Sequence, residues 1–196
     1  TQGWIPLDDD VVADVPVAPP TQKAIFGFGT ISSFTAITNL VNSSGVVATD
    51  TAGVGTAMGD LAAAGYGGDK AIFGYGGAPA VSTSNLVNNV GVVASDVTGV
   101  GTARYQIAAA TYGLDKAIFG YGTTGSPNTA ITNLVSNVGV VATDTTGVGT
   151  ARAALAAAAY GTDKAIFAYG TTSSDVSISN LVSNSGVVAS DVSGVG

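Results

Sequence analysis

The apolar positions of this chain fall in short runs broken by glycine and polar turn residues, and the runs recur four times in the same order. Lys23-Ala24-Ile25-Phe26 returns as Lys70–Phe73, Lys116–Phe119 and Lys164–Phe167, and each is followed by a small–aromatic–Gly step such as Gly74-Tyr75-Gly76 or Ala168-Tyr169-Gly170. This pattern predicts a buried strand that ends at the glycine. Asn-Leu-Val, starting at Asn39, Asn85, Asn133 and Asn180, reads as a second strand. Polar segments ending on Gly45, Gly91, Gly139 and Gly186 supply tight-turn chemistry, and Gly-Val-Val-Ala then opens a third strand. Each copy closes on an aspartate (Asp50, Asp96, Asp144, Asp191), which starts a type I turn by bonding its own backbone.

The linkers Thr56–Asp69, Thr102–Asp115 and Thr150–Asp163 carry alanine runs at 62–64, 108–110 and 156–159. Alanine favours helix, but no cap or amphipathic period accompanies the runs, and a solitary helix of about ten residues is marginal. Small side chains also suit an innermost strand at a crowded axis, and strand is the reading taken.

The repeat lengths separate strand from loop. Every Asn lies 31 residues before the next Lys, and every Lys lies 6 before its second Gly. Only the stretch from that Gly to the Asn changes, and a strand in a packed sheet cannot gain a residue without reversing its faces. Segments 30–38, 77–84, 123–132 and 171–179 are therefore surface loops. The units run 23–69, 70–115, 116–163 and 164–196, behind an N-terminal arm, 1–22, containing Trp4 and a proline-rich stretch. A period near 47 is that of a propeller, solenoid or array. The first copy lacks the linker strand, and the expectation is that Val11–Val17 supplies a strand or clamp, either to its own first blade or to a neighbouring copy, giving a homo-oligomer.

Composition narrows the function. The chain has 196 residues, 46% of them apolar and 10% charged, which is not the make-up of a disordered polymer. Its 28 glycines follow no collagen triplet, no apolar run approaches a membrane span, and no signal peptide is visible. All thirteen acids are Asp and the net charge is −7, so neither nucleic-acid binding nor membrane insertion is expected. With no histidine and no cysteine, the usual general base, thiolate metal sites and disulfides are excluded.

The order Thr-Ala-Arg, small-residue strand, Tyr-Gly turn, Lys-Ala-Ile-Phe-Gly-Tyr-Gly, variable loop, Asn-Leu-Val hairpin resembles a kelch blade over residues 23–196. Arg104 and Arg152 occupy that family's Arg position, with Met58 in the first copy. Gly-Tyr-Gly replaces its double glycine, and valine (Val47, Val93, Val141, Val188) stands at its outer-strand Trp. The near-identical copies also resemble repeat-rich virion proteins of tailed phages, especially those infecting marine cyanobacteria. The resemblances imply an all-β, propeller-like array of about four kelch-like blades, in a structural or assembly protein of a virion or extracellular surface. Its partners would be itself or other structural proteins. The alternative is a carbohydrate- or protein-binding module working through the variable loops, with a glycan as the partner.

Candidate chemistry is sparse. Gly120–Gly125 matches a dinucleotide fingerprint but is followed by Ser126-Pro127 rather than a helix. Gly65–Phe73 imitates a calcium nonapeptide, yet recurs once per unit instead of every nine residues. Asp50, Asp96, Asp144 and Asp191 are weak candidates for a metal ring, and turn formation is the favoured role. Asp8-Asp9-Asp10 reads as a solvated arm. Phe34, Asn128 and Asp175 are the distinctive loop residues and the candidate binding positions. No acid, base and nucleophile converge, so neither an enzyme nor a cofactor is expected.

Overall fold

The computed structural model describes residues 22–77 and 79–194. The arm, including Val11–Val17, lies outside the described residues. All eleven described elements are strands, and the sheets are antiparallel. β1 (Gln22–Gly27) pairs with β2 (Thr38–Asn42) as a two-stranded sheet. The other three sheets are three-stranded meanders, each joining the alanine strand at the end of one repeat to the first two strands of the next: β3 (Ala62–Tyr66), β4 (Lys70–Gly74) and β5 (Ser84–Val87); β6 (Ala108–Tyr112), β7 (Lys116–Gly120) and β8 (Thr132–Val135); β9 (Ala156–Tyr160), β10 (Lys164–Ala168) and β11 (Ser179–Val182). The alanine runs are strands, as expected, and lie beside the Lys-Ala-Ile-Phe strand with Ala64 opposite Ile72, Ala110 opposite Ile118 and Ala158 opposite Ile166.

The Gly-Val-Val-Ala segments differ from expectation. They meet the second strand at isolated bridges, Val41 with Val47 and Thr38 with Thr51, with one further bond between them from the Ala48 amide to the Leu40 carbonyl (2.8 Å), and likewise in each later repeat. The paired residues are three apart on one side and four apart on the other. One extra residue breaks the ladder as a bulge does. The Asn39 side chain spans the gap by donating from Nδ2 to the Ala48 carbonyl (3.1 Å) and to Asp50 Oδ1 (2.9 Å). Asn85, Asn133 and Asn180 repeat both bonds.

The sheets stack face to face, and a hydrophobic core fills each gap. Alternation along the strand decides the faces of residues 71–73, and a positive φ at Tyr75, just past the end of β4, places its ring on the Ile72 side. Ala71 and Phe73 point back to join Phe28, Met58 and Ile25, while Ile72 and Tyr75 point forward to join Ala117 and Phe119. Ile118 and Tyr121 meet Ala165 and Phe167 in the third gap. Neighbouring sheets approach most closely at their alanine strands, β3 on β6 and β6 on β9, where methyl groups permit it. Backbone bonds run along the stack, from the Gln106 amide to the Asp60 carbonyl and from the Ala154 amide to the Gln106 carbonyl (2.8 and 2.9 Å). Among the described residues the stack stays open, with β9 exposed over most of its length.

Candidate functional site

The residues that recur with chemistry are concentrated at the junctions between repeats. Arg104 is fully buried. Its guanidinium lies 4.4 Å from the Tyr75 ring centre of one repeat and donates to the Tyr121 carbonyl (2.9 Å) and Asn133 Oδ1 (2.6 Å) of the next. A third bond goes to the Thr102 carbonyl. Burial pulls its pKa down from the ordinary value and pushes the Tyr75 phenol up to about 12. Three acceptors and an aromatic face offset the cost of holding that charge out of water. Arg152 stacks on Tyr121 at 4.2 Å and donates to the Tyr169 and Thr150 carbonyls. Met58 takes this position at the first junction, beside Phe28 in place of a tyrosine; the buried Asn85 Oδ1 there has no hydrogen-bond partner, and neither do Arg152 Nη2 and Asn180 Oδ1 at the third junction.

The recurrent aspartates are clamps, which corrects the expectation that each bonds its own turn. Asp96 accepts from the amide and hydroxyl of Thr56, forty residues back in the preceding repeat. Asp144 and Asp191 take Thr102 and Thr150 in the same way, each with a 2.6 Å hydroxyl bond. The Thr56 bond holds the Asp96 carboxyl below its ordinary pKa. Burial opposes ionisation of Asp144 and Asp191, and hydrogen bonds from threonine and asparagine outweigh it, so both are also lowered. Among the described residues Asp50 bonds Asn39 alone. Among the described residues no three acidic side chains gather as a metal site.

Phe34, Asn128 and Asp175 occupy matching places in their loops, bridged to Thr30, Thr123 and Thr171. Phe34 packs on Gly59. Asn128 donates to the Thr171 carbonyl (3.0 Å), tying the third loop to the fourth, and Asp175 accepts from the Thr171 hydroxyl (3.2 Å). The structure thus aligns the three along the stack without bringing them into one cavity. The larger cavity, about 570 Å³, is elsewhere, at the first repeat, lined by Ala24 and Ile25 of β1, Leu40 of β2 and Ala63, Ala64 and Tyr66 of β3. It lies beside the edge of β1 that no described strand pairs, where the other sheets carry an alanine strand.

The buried arginine and the threonine–aspartate clamp escaped the sequence reading. The signal was present in Thr102-Ala103-Arg104 and Thr150-Ala151-Arg152, which recur as faithfully as the aspartates. No protein-family model and no curated protein matches the chain.

Proposed function

We propose that the chain is a non-catalytic structural module, a kelch-like, propeller-type stack that serves assembly, as in a virion or tail-associated component. Its partners are further copies of itself or other structural proteins. The observation that supports this reading is where the recurring polar side chains go. Arg104, Arg152, Asp96, Asp144, Asp191 and their threonine partners bond one repeat to the next. Residues spent in this way make a rigid array and are not free to turn over a substrate. The aligned loops are the surface that a ligand-binding module would use. A glycan array probed with the purified chain tests the choice. No saturable binding is expected. Binding that is lost in Phe34→Ala, Asn128→Ala or Asp175→Ala would overturn the structural reading in favour of the loop-binding one.

A further inference from the structure

The three internal junctions share one construction, and each end of the stack exposes one half of it. On the backward side the Lys-Ala-Ile-Phe phenylalanine is 4% exposed at Phe73 and fully buried at Phe119 and Phe167, but Phe26 is 63% exposed. On the forward side the aromatic of the small–aromatic–Gly step is buried at Phe28, Tyr75 and Tyr121, but Tyr169 is 55% exposed. The internal partners meet as aromatic pairs, with centroids 5.1 Å apart for Phe28–Phe73 and Tyr75–Phe119 and 5.2 Å for Tyr121–Phe167. The second-strand leucine behaves alike. Leu86 and Leu134 lie over the turn glycines Gly139 and Gly186 of the next repeat, whereas Leu181 is 40% exposed.

One residue departs from this symmetry. Gly27, Gly74 and Gly120 sit under the incoming phenylalanine, where an added Cβ would stand only 3.1, 2.9 and 2.6 Å from its Cζ. The fourth copy has Ala168 at that place. Its methyl narrows the slot that an incoming ring must enter.

We propose that a second copy of this chain stacks its Phe26 face on the Tyr169 face, head to tail, reproducing between chains the core that joins repeats within one, with the Ala168 methyl limiting its strength. The inference rests on the assembly reading above and names its partner. Such an interface is heterologous, so one copy after another can add unless the turn closes a ring. The methyl keeps the association reversible, because crowding a packed contact weakens it without removing the apolar surfaces that drive it.

Sedimentation velocity of the full chain, from dilute to concentrated solution, tests this. The wild type is expected to gain mass with concentration, and Ala168→Gly to do so at roughly tenfold lower concentration. Phe26→Asp and Tyr169→Asp alter exposed side chains, so each is expected to keep the parent circular dichroism and to run as a single chain. An equimolar mixture of the two is expected to give dimers and stop there, because it retains one intact head and one intact tail. A wild type of single-chain mass at every concentration would overturn the proposal, as would Asp variants that associate like the parent or fail to pair when mixed. If the full chain stays single while residues 22–196 associate, the arm rather than a second copy covers the Phe26 face, and the proposal fails. None of these results depends on glycan binding, so the two readings fail separately.

Discussion

At the scale of the residue, the first junction is the natural variant of the other two. Met58 fills the arginine position with an apolar side chain of similar length, so the buried Asn85 Oδ1 lacks the donor that Arg104 gives Asn133; Asn180 Oδ1 and Arg152 Nη2 are also unpartnered, so only the Arg104 junction makes this bond. An unsatisfied buried acceptor costs about 1–3 kcal/mol. Met58→Arg restores the donor and gains the Phe28 face, so it is expected to raise the urea midpoint by the equivalent of about 1 kcal/mol. Arg104→Met makes the opposite change, leaving the Tyr121 carbonyl and Asn133 Oδ1 unpaired, and should cost about 2 kcal/mol by the same measurement. A rise on Arg104→Met would mean that removing the buried charge outweighs its bonds.

The aspartate clamps make a signed prediction of pH dependence. The folded-state pKa values of Asp96, Asp144 and Asp191 lie below the ordinary 3.8. Their contribution is therefore fully present above that value and is lost as the pH falls through the lower folded-state values. Urea midpoints should be level from neutral pH down to about 4 and then fall. Asp144→Asn should be less stable than the parent at neutral pH, with the gap narrowing on the acid side. A gap that stays constant with pH would show that the carboxylate's charge contributes nothing there.

At the scale of the element, period and length variation carried the reading. The constant spacings from Lys to Gly and from Asn to Lys located β4, β7 and β10 and their hairpins, and the variable stretch located the loops. The alanine runs read correctly because the argument rested on crowding rather than propensity, and β3, β6 and β9 are where neighbouring sheets come closest. The Gly-Val-Val-Ala segments did not read correctly, since valine's preference for strands says nothing about the extra residue that breaks their ladder. Nor was it legible that Phe28, Tyr75, Tyr121 and Tyr169 adopt φ near +60°, a conformation that bulky residues avoid. Packing between the sheets holds the first three there, which no local preference reveals. The loop map has a direct test. Two residues inserted after Thr124, which is exposed, should leave soluble yield and melting temperature close to the parent's. Two inserted after Val141 fall between its bridge to Val135 and the Thr132–Thr145 bridge, and should abolish soluble expression. Equal tolerance at the two sites would discard the view that the two bridges fix the length of this segment while the loop is free to vary.

At the scale of the whole molecule, the first sheet differs from the others. Among the described residues, β4, β7 and β10 are each paired on both sides, whereas β1 is paired only with β2. An unpaired strand edge beside an apolar groove is a place where proteins add a strand. The groove of about 570 Å³ next to β1 is lined by Ile25 and by Ala24, Ala63 and Ala64, whose small side chains leave space for a further backbone. What fits is an extended apolar segment, and Val11, Val12, Val15 and Val17 lie a few residues before β1 in the same chain. Pairing along the edge would satisfy backbone groups of β1, and burying two or three valines would contribute a few kcal/mol before the entropy of ordering the segment is subtracted. Deletion of residues 1–20 is therefore expected to lower the melting temperature by roughly 5 °C, the shift that about 2 kcal/mol gives in a protein of this size. Adding a synthetic peptide of residues 8–20 to the truncated chain should recover part of that loss. Calorimetry that finds the truncated and full chains melting together would assign the groove to solvent, and the arm no role in completing the first sheet.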